Sequence, residues 1–203
     1  ALIKSFLKLA VSKTQKTPHM TNVNNWMSWE GGIDLVAVTA PDLQMPNVIV
    51  HLGRMVNTPA GNAPSGMIFW QPNPAALPEV MGFVSTDETV GKYFGPHIFA
   101  GTPFENAPVL KATIDIHITS EKAVATCVVG AYTFEVEMSD FSTPYLIDRK
   151  PAAMPPFYQQ GVEIHAKKVV LKVNGESINI IIPPVGITGG PASVVSPNGV
   201  YAR

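Results

Sequence analysis

Five side chains in this sequence are of the types that proton transfer and carboxylate binding require: Arg54, His97, Glu105, Glu163 and His165. Histidine and glutamate can take up and release protons as general acids and bases. Arginine can hold a carboxylate through two parallel hydrogen bonds, although an arginine without such a ligand is more often a surface residue. Together these residue types predict acid–base chemistry on a small molecule that carries a carbonyl or a carboxylate group.

Glu163 and His165 precede the clearest hairpin signal in the chain, the dipeptide Asn174-Gly175, which favours a type I′ turn. The turn pairs residues before it with residues after it: Leu171 with Ile178 and Val169 with Ile180. Alternation along the strand then places Lys167, His165 and Glu163 on the same face as the apolar residues. Because buried ionisable groups need partners, this polar row predicts one end of a pocket. A bulge at Lys167 and the next lysine would instead turn the row into solvent.

His97 and Glu105 lie in residues 94–107, a segment rich in glycine, proline and aromatic side chains that predicts a loop ahead of the central strands. Immediately before it, residues 86–93 predict one helical turn, capped by one of their first two residues. Binding and catalytic groups are often carried by loops on a rigid scaffold. We therefore expect part of the site in residues 94–107. Arg54 stands near the end of a predicted strand, ahead of a second loop.

Antiparallel strands must position these residues, and residues 109–141 predict three of them. Gly130-Ala131 fits a two-residue type II′ turn, which pairs apolar or small residues only: Val129 with Tyr132, Cys127 with Phe134, Ala125 with Val136 and Ala123 with Met138. The corner at Ser120-Glu121 extends the same face by further pairs: Ile118 with Ala123, Ile116 with Ala125 and Ile114 with Cys127. A slip of one residue would mix the two faces, so the register is well specified.

The opposite face of these three strands carries Asp115, His117, Glu135 and Glu137. One side of an antiparallel sheet usually faces solvent, and these residues fit that arrangement. The alternative is that they line a pocket or a metal site inside a barrel, since histidine and carboxylates are metal ligands. The sequence has no paired cysteines and no glycine-rich phosphate loop, and we expect neither a metal nor a cofactor.

Length and composition limit the class of protein. The chain has 203 residues, 14% of them charged, and a formal net charge of −1, which gives no basic surface for nucleic acid. Residues 21–203 suit one antiparallel β domain, for which the 46% hydrophobic content supplies a full core. The single cysteine, Cys127, falls on the apolar face, and its isolation favours a reducing, cytoplasmic compartment. A run of about 18 apolar residues is absent, so we expect no transmembrane segment.

Residues 1–13 predict an amphipathic helix, and the residues that follow it, up to residue 20, predict a polar linker. The helix carries an apolar stripe that consists of Leu2, Ile3, Phe6, Leu7 and Ala10. Lys4 and Lys8 lie away from this stripe. Three interpretations stay open: the helix packs on the domain or on a sister subunit, it makes peripheral contact with a membrane, or it belongs to a targeting segment. We expect a homo-oligomer.

The order of features over residues 91–109 resembles the acetoacetate decarboxylase superfamily, in which a glycine-led segment ends in Pro-Lys and a long β meander follows. Residues 95–105 would occupy that segment here, and the strands over residues 112–118 and 123–129 would follow it. The resemblance implies a β barrel around an apolar cavity. The Schiff-base lysine of the family would fall near Phe104, where this sequence has none, so the resemblance implies a lyase or isomerase without amine catalysis.

These observations predict an all-β, mainly antiparallel fold: a single β barrel or a strongly curved sandwich with an N-terminal amphipathic helix. The first functional hypothesis is a cofactor-independent enzyme that decarboxylates, cyclises or isomerises a small hydrophobic carbonyl or carboxylate compound in a barrel cavity. The second is a non-catalytic protein that binds a small hydrophobic molecule, and the third is a structural or assembly protein. Ionisable groups inside a cavity favour the first hypothesis, a wholly apolar cavity the second, and the absence of a cavity the third.

Overall fold

The computed structural model describes residues 26–151, 157–186 and 189–202. The predicted helix over residues 1–13 and the boundary at residue 20 lie outside the described residues. Eleven strands and one helix follow one another in this order: β1 (Trp26–Ala37), β2 (Val48–Thr58), β3 (Gly61–Trp70), β4 (Val80–Ser85), α1 (Glu88–Ile98), β5 (Val109–Ile118), β6 (Lys122–Val129), β7 (Tyr132–Phe141), β8 (Tyr145–Arg149), β9 (Tyr158–Val173), β10 (Glu176–Ile178) and β11 (Ser193–Ala202).

The long strand β9 closes the sheet on itself. Its first half pairs with β11 and β8, and its second half pairs with β7 and β10. Because β11 continues through β1 to β7 in sequence order, these strands and β9 form a ring, while β8 and β10 pair with β9 outside it. The predicted fold class is confirmed as a strongly curved all-β fold whose sheet closes in a ring, although the ring is not a perfect barrel.

Helix α1 joins β4 to β5, which pair in parallel over three residues, as a crossover connection allows. Asp87 caps the helix by accepting hydrogen bonds from the backbone N–H groups of Thr89 and Val90. The loop predicted over residues 94–107 is corrected, because the helix continues to Ile98 through Pro96. At 11 residues, the one helix in the described part of the chain is too short to cross a membrane.

Burial against the sheet explains why α1 continues through its glycines and its proline. Its buried residues recur with the period of one helix face: Val90, Gly91, Phe94, Gly95 and Ile98. A Cβ at Gly95 would lie 2.1 Å from a ring carbon of Phe83, so the glycine lets the helix approach β4 closely. The residues that predicted a loop are therefore the ones that permit this packing.

Both predicted turns of the central meander are confirmed, together with the full register of β5, β6 and β7. Gly130 has a φ of +56°, as the first position of a type II′ turn requires. Asn174 and Gly175 both have positive φ, which is the type I′ geometry. Leu171 pairs with Ile178 as predicted. The predicted pairing of Val169 with Ile180 is not formed, because β10 ends at Ile178 and the chain turns to bridge Val38 through Ile181.

Two apolar clusters lie on the two sides of the curved sheet. The larger, called the ring core here, takes side chains from all nine strands of the ring, including Leu35, Ile116, Met138 and Leu171. The smaller, called the outer cluster, packs Phe94 and Ile98 of α1 against the other face of β1 to β4. Asp115 and His117 are 73% and 83% exposed, so the polar face of the meander faces solvent rather than a pocket.

Cys127 provides a chemical test of the ring core. The thiol is fully buried, and burial raises its pKa to about 12. Because thiolate is the reactive form, we expect the native protein to resist a disulfide reagent such as DTNB at about pH 8 and to react rapidly in denaturant. Cys127→Ala should give no signal in either condition. Rapid labelling of the native protein would contradict a closed ring.

Candidate functional site

A cavity of about 50 Å³ lies against the outer face of β1, β2, β9 and β11, beneath Phe94 of α1. By the space that one water requires, this volume holds about four water molecules. Most of its wall is apolar, with residues such as Met27, Val56, Phe94 and Val194. Its polar wall consists of Ser28, Asp34, His51, Gln159, Glu163 and Ser196, together with the amphipathic Trp29 and Tyr201.

Asp34 and His51 form the acid–base pair of this cavity. They lie directly opposite each other on β1 and β2, and His51 Nδ1 is 3.6 Å from Asp34 Oδ1. This distance is too long for a direct hydrogen bond but short enough for the carboxylate to orient the imidazole electrostatically. Phe94 stacks on the imidazole and Phe99 meets it edge-on, at ring separations of 6.0 and 5.9 Å. No described residue hydrogen-bonds His51 Nε2, so this nitrogen is available to a ligand.

Glu163 is the centre of a second polar group on β8 and β9. Arg149 donates two hydrogen bonds to its carboxylate, at 2.7 and 2.8 Å, and the Tyr145 hydroxyl donates a third at 3.0 Å. Arg149 also donates to Gln159 Oε1 at 3.0 Å. Protonating the Glu163 carboxylate would weaken this bidentate pair, so the arrangement favours a wall-forming ion pair over a free base.

The negative charge of Glu163 raises the pKa values of its neighbours Tyr145 and Arg149. Burial, followed by the charge of Glu163, raises the pKa of Tyr145 to about 12. Burial alone would lower the pKa of Arg149, but the hydrogen bonds and charge of Glu163 outweigh it and raise that pKa. Tyr145 is therefore neutral and Arg149 is charged at neutral pH.

Tyr201 supplies a neutral hydroxyl to the cavity. Its ring is buried between Trp29 and Phe157, with both ring centroids 4.6 Å away. Burial first, and then the charges of Asp34 and Glu163, raise its pKa, so the hydroxyl keeps its proton. It makes no hydrogen bond within residues 26–151, 157–186 and 189–202, and it can donate one to a ligand.

Of the five side chains predicted from sequence, Glu163 lines the cavity and the other four do not. His165 is the nearest of these four by strand pairing. It shares the face of Glu163 by alternation, and it pairs with Val194, which in turn pairs with Asp34. His165 therefore flanks the candidate site without lining it.

The remaining predicted residues occupy separate places. His97 lies on α1, where its Nδ1 is 2.6 Å from the carbonyl oxygen of Tyr93 and its ring stacks on that tyrosine. Glu105 accepts a hydrogen bond from the backbone N–H of Gly101 at 2.9 Å, which closes a turn after the helix. Arg54 is exposed on β2. These three side chains and the cavity do not form one site, and their catalytic roles stay predictions.

Strand β9 changes the face that it turns to the ring core partway along its length. The residues that contact this core are first even-numbered and then odd-numbered: Ile164, Ala166, Val169, Leu171 and Val173. The alternation shifts at Lys167 and Lys168, which are both exposed. In the partner strand, Asp140 has a φ of +55° next to the shift, so the β7–β9 register is kept.

The predicted change of face at Lys167 is present, but the β7–β9 register contains no bulge there. The predicted consequence for Glu163 is corrected, because Glu163 is 4% exposed rather than in solvent. The face to which it turns is covered by Arg149 and Tyr145 of β8 and by the cavity wall. Glu163 thus borders a cavity on the outer face of the sheet and not inside the ring.

Asp34 and His51 were missed because strand register was not assigned to β1 and β2. Each is a lone ionisable residue in an otherwise apolar strand segment. The pairing of Ala37 with Val48 across the connecting loop fixes Asp34 opposite His51. Counting inward from that loop would have placed the two residues together on one face.

Comparisons with known proteins give a weak resemblance of fold. No family model matches the chain, and no curated protein matches it in sequence. A solved acetoacetate decarboxylase structure is 9% identical over 87% of this chain and 86% of its own, with a TM-score of 0.41. Another, from Legionella pneumophila, is 9% identical over 99% of this chain and 92% of its own, with a TM-score of 0.34. The weak resemblance predicted from residues 91–109 is thus present in the structure, and nothing about the site follows from it.

The Arg149–Glu163 pair gives a stability prediction. Glu163→Gln leaves the largely buried Arg149 without its countercharge, and we expect the free energy of unfolding to fall by about 3 kcal/mol in urea denaturation. The double variant Arg149→Met with Glu163→Leu should recover much of the loss, because neither charge is then left unpaired.

Asp148→Asn is the matched control, because Asp148 accepts an exposed hydrogen bond from Gln160 between the same two strands. Its effect should stay below about 0.5 kcal/mol. An equal effect of Glu163→Gln and Asp148→Asn would show that the ion pair does not hold the cavity wall.

Proposed function

We propose that this protein is a cofactor-independent enzyme that moves a proton on a small carbonyl- or carboxylate-bearing molecule, as decarboxylases, cyclases and isomerases do. The observation that supports the proposal is the Asp34–His51 pair in the wall of a largely apolar cavity. Proton transfer is assigned to His51 rather than to His97 or His165, because His51 lines the cavity and has an unoccupied ring nitrogen.

The proposed proton transfer requires no co-reactant. His51 Nε2 takes a proton from the carbon next to the carbonyl, the C–H electron pair forms the C=C double bond of an enolate, and the π electrons of the carbonyl move onto its oxygen. The hydroxyl of Tyr201 donates a hydrogen bond to the oxygen on which negative charge develops. Asp34 stabilises the imidazolium until the proton returns to the product. A positioned acid–base group of this kind accelerates such a step by about 10²–10⁴-fold.

The size of the cavity supports this function over that of a carrier of larger hydrophobic ligands. Sites for drug-sized molecules enclose about 300–1,000 Å³, whereas this cavity has about 50 Å³. The wall also places two carboxylates and a histidine where a passive apolar carrier needs none. Both observations favour a small substrate on which proton transfer occurs.

Solvent exchange tests the proposal directly. In D₂O, we expect the protein to catalyse loss of the α-proton NMR signals of a small ketone such as butan-2-one, and we expect small 3-oxo acids to be assayed in parallel for carbon dioxide release. His51→Asn should lower the rate at least about a hundredfold. Asp34→Asn should lower it less, because the base remains.

His117→Asn is the matched control, because His117 is 83% exposed and also lies near an aspartate, Asp115, at 3.9 Å. It should leave the rate unchanged. Full activity of His51→Asn with a native melting temperature would refute the assignment of the base, and the absence of turnover with every compound would refute the enzyme.

A further inference from the structure

We propose that the cavity selects a neutral carbonyl compound and rejects anionic ones, which makes isomerisation or enolisation, and not decarboxylation, its reaction. The proposal rests on the function proposed above and narrows its substrate class. The observations that support it are the signs of the charges around the cavity and the hydrogen-bonding capacity that its wall leaves unused.

The charged groups at the cavity are mainly acidic. Asp34 and Glu163 line it, and among the lining residues only His51 can become cationic. The guanidinium of Arg149 does not line the cavity and is engaged with Glu163 and Gln159. With an unprotonated His51, the two carboxylates and the one guanidinium leave a net charge of −1 beside the ligand.

This field acts on groups that project into the cavity. The pKa of Tyr201 is raised by burial and then by the charges of Asp34 and Glu163, against a smaller opposing effect of Arg149. This direction agrees with two carboxylates that disfavour negative charge at the position of the hydroxyl. A ligand carboxylate in the same space would meet the same repulsion. It would also lose water in a cavity with room for about four water molecules, and none of the described lining residues is a lysine or an arginine that could replace that water.

The unused hydrogen-bonding groups complement a carbonyl oxygen. Glu163 already accepts three hydrogen bonds, from Arg149 and Tyr145, so it offers little to a ligand donor. The Tyr201 hydroxyl is a donor without a partner in the described part of the chain. A carbonyl oxygen accepts such a bond without bringing negative charge beside Asp34 and Glu163. The wall therefore fits a neutral acceptor better than its anionic isostere.

The reaction follows from the substrate. Decarboxylation requires a carboxylate beside the reacting carbon, which this cavity disfavours. Proton transfer on a neutral ketone requires only that the α-proton pass to His51 Nε2 and that the C–H electrons form the double bond of the enolate, with the carbonyl π electrons moving onto oxygen. The proton then returns to another carbon or to oxygen, and the product is an isomer of the substrate.

Two isosteres with the same number of heavy atoms test the selection: butan-2-one and propionate. Each is titrated into the full chain at about pH 8, and Kd is measured from the backbone amide shifts of residues around the cavity. We expect butan-2-one to bind at least about tenfold more tightly than propionate. Asp34→Asn should reduce the discrimination against propionate, because it removes one of the two carboxylates.

Asp115→Asn is the matched control, because it removes the same charge from an exposed carboxylate on another face. It should leave the ratio of the Kd values unchanged. Propionate binding as tightly as butan-2-one would overturn the selection, even if His51-dependent exchange shows that the proposed function holds. Tighter binding of butan-2-one without any exchange would support the selection and refute the enzyme. The absence of binding by both compounds would overturn both proposals.

Discussion

The pairing of β9 with two different strands of the ring, one in each half of its length, is the constraint on which the rest of this structure depends. Its first half pairs with β11 and its second half with β7, so the first strand of the described chain and the central meander are brought into one ring. Without this strand, β7 and β11 would both present open edges. Closure gives the ring core its complete wall and fixes β1 beside β11, which positions Asp34 and Tyr201 together.

The same strand carries residues of the ring core and residues of the candidate site on opposite faces of the sheet. Because its alternation shifts at Lys167 and Lys168, its apolar residues turn to the ring core while Glu163 turns to the outer face. The interior of the ring is filled by side chains from nine strands. The polar groups of the site therefore lie between the sheet and elements outside it, where α1 and β8 cover them. A site on the outer face leaves the ring core free of buried charge.

Local signals in the sequence predicted the local structure well. The registers of β5, β6 and β7 followed from two-residue turns and strict alternation, both of which are properties of neighbouring residues. The end of α1 was mispredicted because the glycine at position 95 acts through contact with Phe83, which is distant in sequence. Likewise, the buried state of Glu163 depends on Arg149 and Tyr145 in another strand, and a single strand pattern does not contain that information.

The Asp34–His51 pair has a consequence for engineering. Both side chains stand in the middle of paired strands, so backbone hydrogen bonds and not the connecting loop hold them opposite each other. In that loop, residues 41–45 are mostly exposed. New chain termini or an inserted peptide tag at this point would break or lengthen the covalent link between Asp34 and His51. The paired strands would still hold the imidazole and the carboxylate at the same separation. The loop is thus a place where the chain can be cut and rejoined without rebuilding the site.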